Sequence, residues 1–150
     1  MSRKLGSYLT YKLDLLKSEL VRQVNEEYRS ELGLTIRDFR IVRKVNESPG
    51  IQLSQLQAET FIEKTVLSKM VSNLVELGLM TRTISRRDAR AYELHLTEAG
   101  QRIREQADRV GECFEKAVLF ADFSSAEMET LDQLLDKLMH SLNKARQGES

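Results

Sequence analysis

Residues 51–100 read IQLSQLQAET FIEKTVLSKM VSNLVELGLM TRTISRRDAR AYELHLTEAG, and their periodicity decides the fold. The stretch reads as two short helices, two strands around a charged loop, and the start of a further helix. In the second of these helices Leu67, Met70, Val71 and Leu74 fall at the steps of three and four that line one helical face. The opposite face carries Thr65, Lys69 and Ser72, flanked by Ser68. Short hydrogen-bonding groups and a cation suit contact with base edges and phosphates. Residues 79–85 read as a strand. Beyond the loop, Tyr92, Leu94 and Leu96 alternate with Glu93 and His95, the period of a half-buried strand. The loop Ser85-Arg86-Arg87-Asp88-Ala89-Arg90-Ala91 concentrates three arginines. Helix, turn, helix and basic hairpin make a winged helix-turn-helix, mainly α with a small β-hairpin wing, and point to double-stranded DNA.

A formal net charge of +0 looks unfavourable for such a partner, but its distribution answers the objection. Between residues 62 and 92 six bases (Lys64, Lys69, Arg82, Arg86, Arg87, Arg90) meet three acids (Glu63, Glu76, Asp88), a net of +3. From residue 112 onward eight acids outnumber four bases, a net of −4. A basic patch on an otherwise acidic chain is what electrostatic recognition of one face requires. Without the fold pattern, the same +3 would be ordinary solvated surface.

Outward from the core, Leu9, Leu13, Leu16, Leu20, Val24 and Tyr28 recur at threes and fours, predicting a long amphipathic first helix that closes at Gly33. Thr35 and Asp38 form a capping-box pattern for a second helix, with Leu34 and Phe39 at the hydrophobic-staple positions. That helix stops at Ser48-Pro49-Gly50. Ile51 then reads as a short edge strand or a packing contact. Thr97 caps a fifth helix with the apolar stripe Ile103, Ala107, Val110, Phe114 and Ala117, broken at Ala121-Asp122-Phe123. Ser124 and Glu127 box the last helix, where Met128, Leu131, Leu135, Leu138 and Leu142 follow a heptad pattern. The division expected is one domain: a winged core at about 34–96, with dimerisation helices at about 5–32 and 97–146. Long amphipathic ends need a partner surface, since a lone helix is marginal in water, and a homodimer is the simplest one. The alternative is that the leucines fold back onto the chain's own core.

The 150-residue chain, 41% hydrophobic and 31% charged, fits a soluble helix-rich protein. No 18-residue apolar run suggests a membrane span, and Arg3, Lys4 and Lys12 interrupt the apolar core that a signal peptide needs. A single cysteine is consistent with a reducing compartment, so the expected location is cytoplasmic.

Four features together resemble the multiple-antibiotic-resistance-regulator (MarR) family of bacterial transcription factors. They are Leu74…Gly78-Leu79 closing the second motif helix, Asp88-x-Arg90 in the wing, Leu96-Thr97-x-x-Gly100 after it, and Leu34-Thr35…Phe39-Arg40 upstream. The resemblance covers nearly the whole chain and implies a dimeric regulator, a repressor on a pseudopalindromic operator. It implies that Arg90 reaches the minor groove, where narrow A·T-rich tracts attract arginine. Asp88 would orient Arg90 or tie the wing to the recognition helix, while Arg86 and Arg87 would meet phosphates. With Lys64, Thr65, Ser68, Lys69 and Ser72, these make the expected DNA-binding set. Family members also release DNA when a small aromatic or anionic effector wedges beneath the dimerisation helices. The corresponding cleft would lie where the first, second and fifth helices meet, with Tyr11, Phe39 and Arg40 as candidate lining residues. The chain departs from the family pattern at Gln57, where a small alanine is usual, and at Phe61, where the turn usually has glycine. Glu63 stands in place of the usual Asp or Ser cap.

An enzyme is not expected. His95, His140 and Cys113 fall on three separate elements, with no nucleophile arrangement, phosphate loop or zinc spacing, so neither a metal nor a cofactor is expected. The remaining alternative is a winged-helix protein–protein interaction module, which an acidic or apolar recognition face would favour. Cys113, beside Phe114, reads as a small buried hydrophobe.

Overall fold

The computed structural model describes residues 4–85 and 91–148. Its helices begin and end where side chains supply what the backbone lacks. After one 3-10 turn at Leu5–Ser7, α1 spans Leu9–Leu32 and closes at Gly33, whose φ of 68° lies in the left-handed region. Helix α2, Ile36–Glu47, opens with the predicted box: the Asp38 N–H donates to the Thr35 hydroxyl at 3.2 Å, and the Thr35 N–H donates to the Asp38 carboxylate at 2.9 Å. The staple differs from expectation. Leu34 and Phe39 are both buried, but in separate clusters, Leu34 in the winged core and Phe39 against Tyr28.

Strand β1, Ile51–Gln52, leads into α3, Leu53–Thr60, and then α4, Lys64–Glu76. Strands β2, Met80–Ile84, and β3, Tyr92–Leu96, form the wing hairpin, closed at its loop end by the Ser85 N–H donating to the Ala91 carbonyl at 2.9 Å. The sheet has three strands in the order β1-β3-β2, all antiparallel, with Ile51 opposite Leu94 and Met80 opposite Leu96. Of the two roles open to Ile51, the structure gives it both: it pairs as an edge strand and is buried in the core. That core joins Ile41, Val42 and Val45 of α2 to Leu56 of α3, Leu67, Val71 and Leu74 of α4, and Met80 and Leu94 of the sheet.

The α3–α4 turn holds Phe61 at φ 55°, the only non-glycine with positive φ among the described residues. Its N–H donates to the Gln57 carbonyl at 3.0 Å, ending α3. An L-residue in the left-handed region costs about 1–2 kcal/mol, which is why glycine is the usual occupant of such a turn.

The chain divides into two compact units, residues 1–111 and 112–150. In the first, α5 (Glu98–Phe114) belongs with α1 and α2 as far as residue 111. Tyr28 accounts for this. Its ring is 2% exposed and lies 5.5 Å from that of Phe39, and its hydroxyl donates to the Ala107 carbonyl at 2.9 Å. A side chain from the first helix thus bonds to the backbone of the fifth within the first unit.

In the second unit, α5 passes into a π-helical turn at Glu115–Leu119, and α6 spans Ser125–Gln147 behind the predicted Ser124–Glu127 box. The wider turn breaks the apolar stripe early: Phe114 is buried, but Ala117 is exposed. Cys113 corrects the sequence reading, being exposed where a buried residue was expected, because the inward face at this point belongs to Phe114. On α6, Leu131, Leu134, Leu135, Met139 and Leu142 are all exposed. Among the described residues no helix is long and apolar enough to cross a membrane.

Candidate nucleic-acid interface

Helix α4 is amphipathic in the way a reading helix must be. Leu67, Val71 and Leu74 are at most 1% exposed and lock one face into the core. That leaves Thr65 and Lys69 exposed and Ser68 and Ser72 half-buried on the opposite face, while Lys64 stands exposed at the first position. A helix pinned along its apolar face presents those groups without first having to order them, which lowers the entropic cost of a contact.

The helix start is held by Glu63. Its carboxylate accepts from the Thr65 N–H at 2.9 Å and the Val66 N–H at 3.0 Å, so the chain's departure from a usual Asp or Ser cap still yields a working one. The Thr65 N–H, then that of Val66, hold the Glu63 carboxyl below the usual carboxylate range. A depressed folded value means stability that is fully present above the unfolded value, roughly 4.3, and lost as pH falls through the folded one. The melting-temperature difference between wild type and Glu63→Gln should therefore be largest at neutral pH and shrink as the solution is acidified below that value. A difference independent of pH would mean that the cap does not depend on the charge.

Arg82 on β2 is the residue that sequence reasoning undervalued, counting it only toward net charge. Its guanidinium donates to the Ser72 hydroxyl at 3.0 Å and lies 5.8 Å from the centre of the Tyr92 ring, so it ties the wing to α4. The available signal was alternation, which places Arg82 on the same strand face as buried Met80. Of the expected wing contacts, Arg86, Arg87, Asp88 and Arg90 lie outside the described residues.

The expected effector-lining residues are not brought together. Arg40 lines a cavity of about 900 Å³ between α1, α2 and the α3–α4 turn, but neither Tyr11 nor Phe39 does. Phe39 is packed against Tyr28 instead, and Tyr11 is 37% exposed on α1. His95 stands 4.0 Å from Glu93 on β3, and among the described residues no three His, Cys, Asp or Glu side chains could hold a metal ion.

The sequence profile of the MarR family matches residues 32–91, the span from the end of α1 to the residue before β3. Over that span the chain matches the MarR family. Its winged fold is that of MarR-family structures. It is 25% identical over 138 residues to the HTH-type transcriptional regulator YpoP of Bacillus subtilis, covering 90% of this chain and 96% of that one. Its fold matches that of a MarR/EmrR family transcriptional regulator from Acinetobacter sp. ADP1 with a TM-score of 0.81 at 23% identity, over 95% of this chain and 99% of that one. It is also similar to a mutant MarR from E. coli complexed with operator DNA, with a TM-score of 0.78 at 25% identity, over 87% and 92% of the two chains. The region matched by the family profile contains every candidate DNA-contacting residue named above.

Proposed function

We propose that this chain is a MarR-family transcriptional regulator that acts in the cytoplasm as a dimeric repressor, reads a pseudopalindromic operator and is released from it by a small-molecule effector. The observation that carries the reading is the divided surface of α4: one face immobilised in the core, the other offering Thr65, Ser68, Lys69 and Ser72. The exposed leucines of α1 and α6 support a two-fold partner. Such a dimer would set two copies of α4 in successive major grooves about 34–36 Å apart. Arg86, Arg87 and Arg90 would meet phosphates and the minor groove beside each.

In vitro selection from random duplex DNA tests this reading. An inverted repeat should emerge; a pool without enrichment would sink it in favour of a protein–protein module. On the selected site, Thr65→Ala or Ser68→Ala should relax preference at one or two positions per half-site, since a good base contact discriminates by roughly 1–3 kcal/mol. Arg87→Ala should instead weaken binding to all sequences and flatten the salt dependence by about one unit per half-site. Arg90→Ala should weaken binding broadly and reduce preference for A·T-rich flanks. Wild-type binding by Arg90→Ala on both the selected site and scrambled DNA would remove the wing from the interface.

A further inference from the structure

We propose that the notch between α3, α4 and the wing hairpin seats one phosphodiester of a DNA strand, held by Gln57, Lys64 and Arg82. Gln57 is a residue at which this chain departs from the family pattern, which has a small alanine there. An alanine side chain has no hydrogen-bonding group, so the seat belongs to this chain rather than to the pattern. The notch measures about 290 Å³. Ser54 and Gln57 of α3 form one wall, Lys64 and Ser68 of α4 the second, and Arg82 and Tyr92 of the hairpin the third.

Its charges decide the sign of what enters. Lys64 and Arg82 line it, and among the described residues no carboxylate does. Two other cavities differ, since Glu47, Glu59 and Glu63 line one and Glu59 and Glu93 the other. Neither Lys64 nor Arg82 has an ion-pair partner among the described residues. Arg82 is held in place all the same, by the Ser72 hydroxyl at 3.0 Å and the Tyr92 ring at 5.8 Å. A guanidinium fixed in this way keeps further N–H groups for an anion and need not be ordered first. Gln57 is half-buried near the end of α3, and its side-chain amide makes no hydrogen bond within the described residues. Such an amide donates to an oxygen without adding charge.

The place of the notch names the anion. With α4 in the major groove and the wing at the minor groove, the strand that separates the two grooves has to pass between those elements. The first helix of the motif crosses the backbone on the same side. At the notch α3, α4 and the hairpin meet. This assignment rests on the DNA-binding reading above and adds a contact to it. It gives Gln57 to affinity and not to sequence choice, because a phosphate carries no sequence information directly.

Fluorescence anisotropy of the full chain on the selected operator and on scrambled duplex tests the seat. Gln57→Ala should bind both about tenfold more weakly per half-site, select the same motif and keep the wild-type salt slope. Lys64→Gln should also weaken both, and should flatten the slope by about one unit per half-site. Arg102→Gln, exposed on α5, should bind as wild type does. Replacing operator phosphates one at a time by neutral methylphosphonate should reveal one position per half-site that costs wild type about tenfold. At that position Gln57→Ala should lose almost nothing further, a coupling that a merely structural residue would not show. Alanine is the better helix former, so Gln57→Ala should melt no lower than wild type. A Gln57→Ala variant that binds both DNAs as wild type does, changes the selected motif, or pays the full methylphosphonate penalty at every position would overturn the assignment. A chain that selects no motif but binds duplex DNA, with Gln57→Ala and Lys64→Gln both weakened, would sink the repressor reading and leave the seat standing. One that selects an inverted repeat which Gln57→Ala binds undiminished would do the reverse.

Discussion

Gly100→Ala is expected to destabilise the protein by about 3 kcal/mol or more, at the upper end of what overpacking a rigid site costs. A Cβ at this position would stand 2.0 Å from the Leu79 carbonyl oxygen and 3.4 Å from the Leu96 Cβ. The obstacle is backbone, so no side chain can swing aside. Nor can the carbonyl readily retreat, because it also accepts the Thr97 N–H at 3.1 Å. One residue earlier, the Gly78 carbonyl accepts the Thr97 hydroxyl at 2.6 Å, and that hydroxyl in turn accepts the Gly100 N–H at 3.0 Å. The first turn of α5 is thus bound to the turn between α4 and β2, and any relief must shift α5 or the wing. Urea unfolding measures the effect. Gly6→Ala, whose Cβ would meet nothing within 4 Å, is the control and should stay within about 0.5 kcal/mol of wild type. Equal midpoints for the two variants would show that the close approach at Gly100 is not a constraint.

The largest effect on function is expected from splitting the proposed dimer. Leu135 and Leu142 are 43% and 59% exposed on α6, one heptad apart, and a stripe of this kind in water is either covered or a liability. Leu135→Glu with Leu142→Glu would place two charges on that stripe, next to Asp132 and Asp136, and should yield monomers at micromolar concentration. Two linked half-sites convert the second contact into an intramolecular one, worth about 10²–10⁴-fold in affinity. The double variant should lose roughly that factor on a complete operator while binding an isolated half-site as wild type does. Sedimentation equilibrium together with titrations on both DNAs decides the matter. A wild type that is already monomeric, or a double variant that remains dimeric, would remove α6 from the interface.

Much of the fold was legible because it is written locally. Thr35 with Asp38 and Ser124 with Glu127 specify helix starts three residues apart, and Gly33 supplies a left-handed stop that most residues resist. Leu67, Val71 and Leu74 announce a buried face by spacing alone, and the groups opposite them are exposed or half-buried as a consequence. Even the departures at Phe61 and Glu63 could be read, since each breaks a local rule at a known position in a turn. The bond from Tyr28 to the Ala107 carbonyl could not, because it joins residues 79 apart in the chain.

By itself, then, the sequence determined where helices and strands begin, which face of each is apolar, and that a basic hairpin follows a helix-turn-helix. These are properties of periodicity and capping, which act over a few residues. Only the tertiary structure decided why residue 100 is glycine, that Ile51 pairs with Leu94, that Arg82 reaches Ser72, and that Cys113 faces outward just before a π-helical turn. It alone set Gln57, Lys64 and Arg82 around one notch that no carboxylate among the described residues lines. The physical reason is the same throughout: periodicity states which way a side chain points, whereas its partner is chosen by the packing of elements distant in the chain.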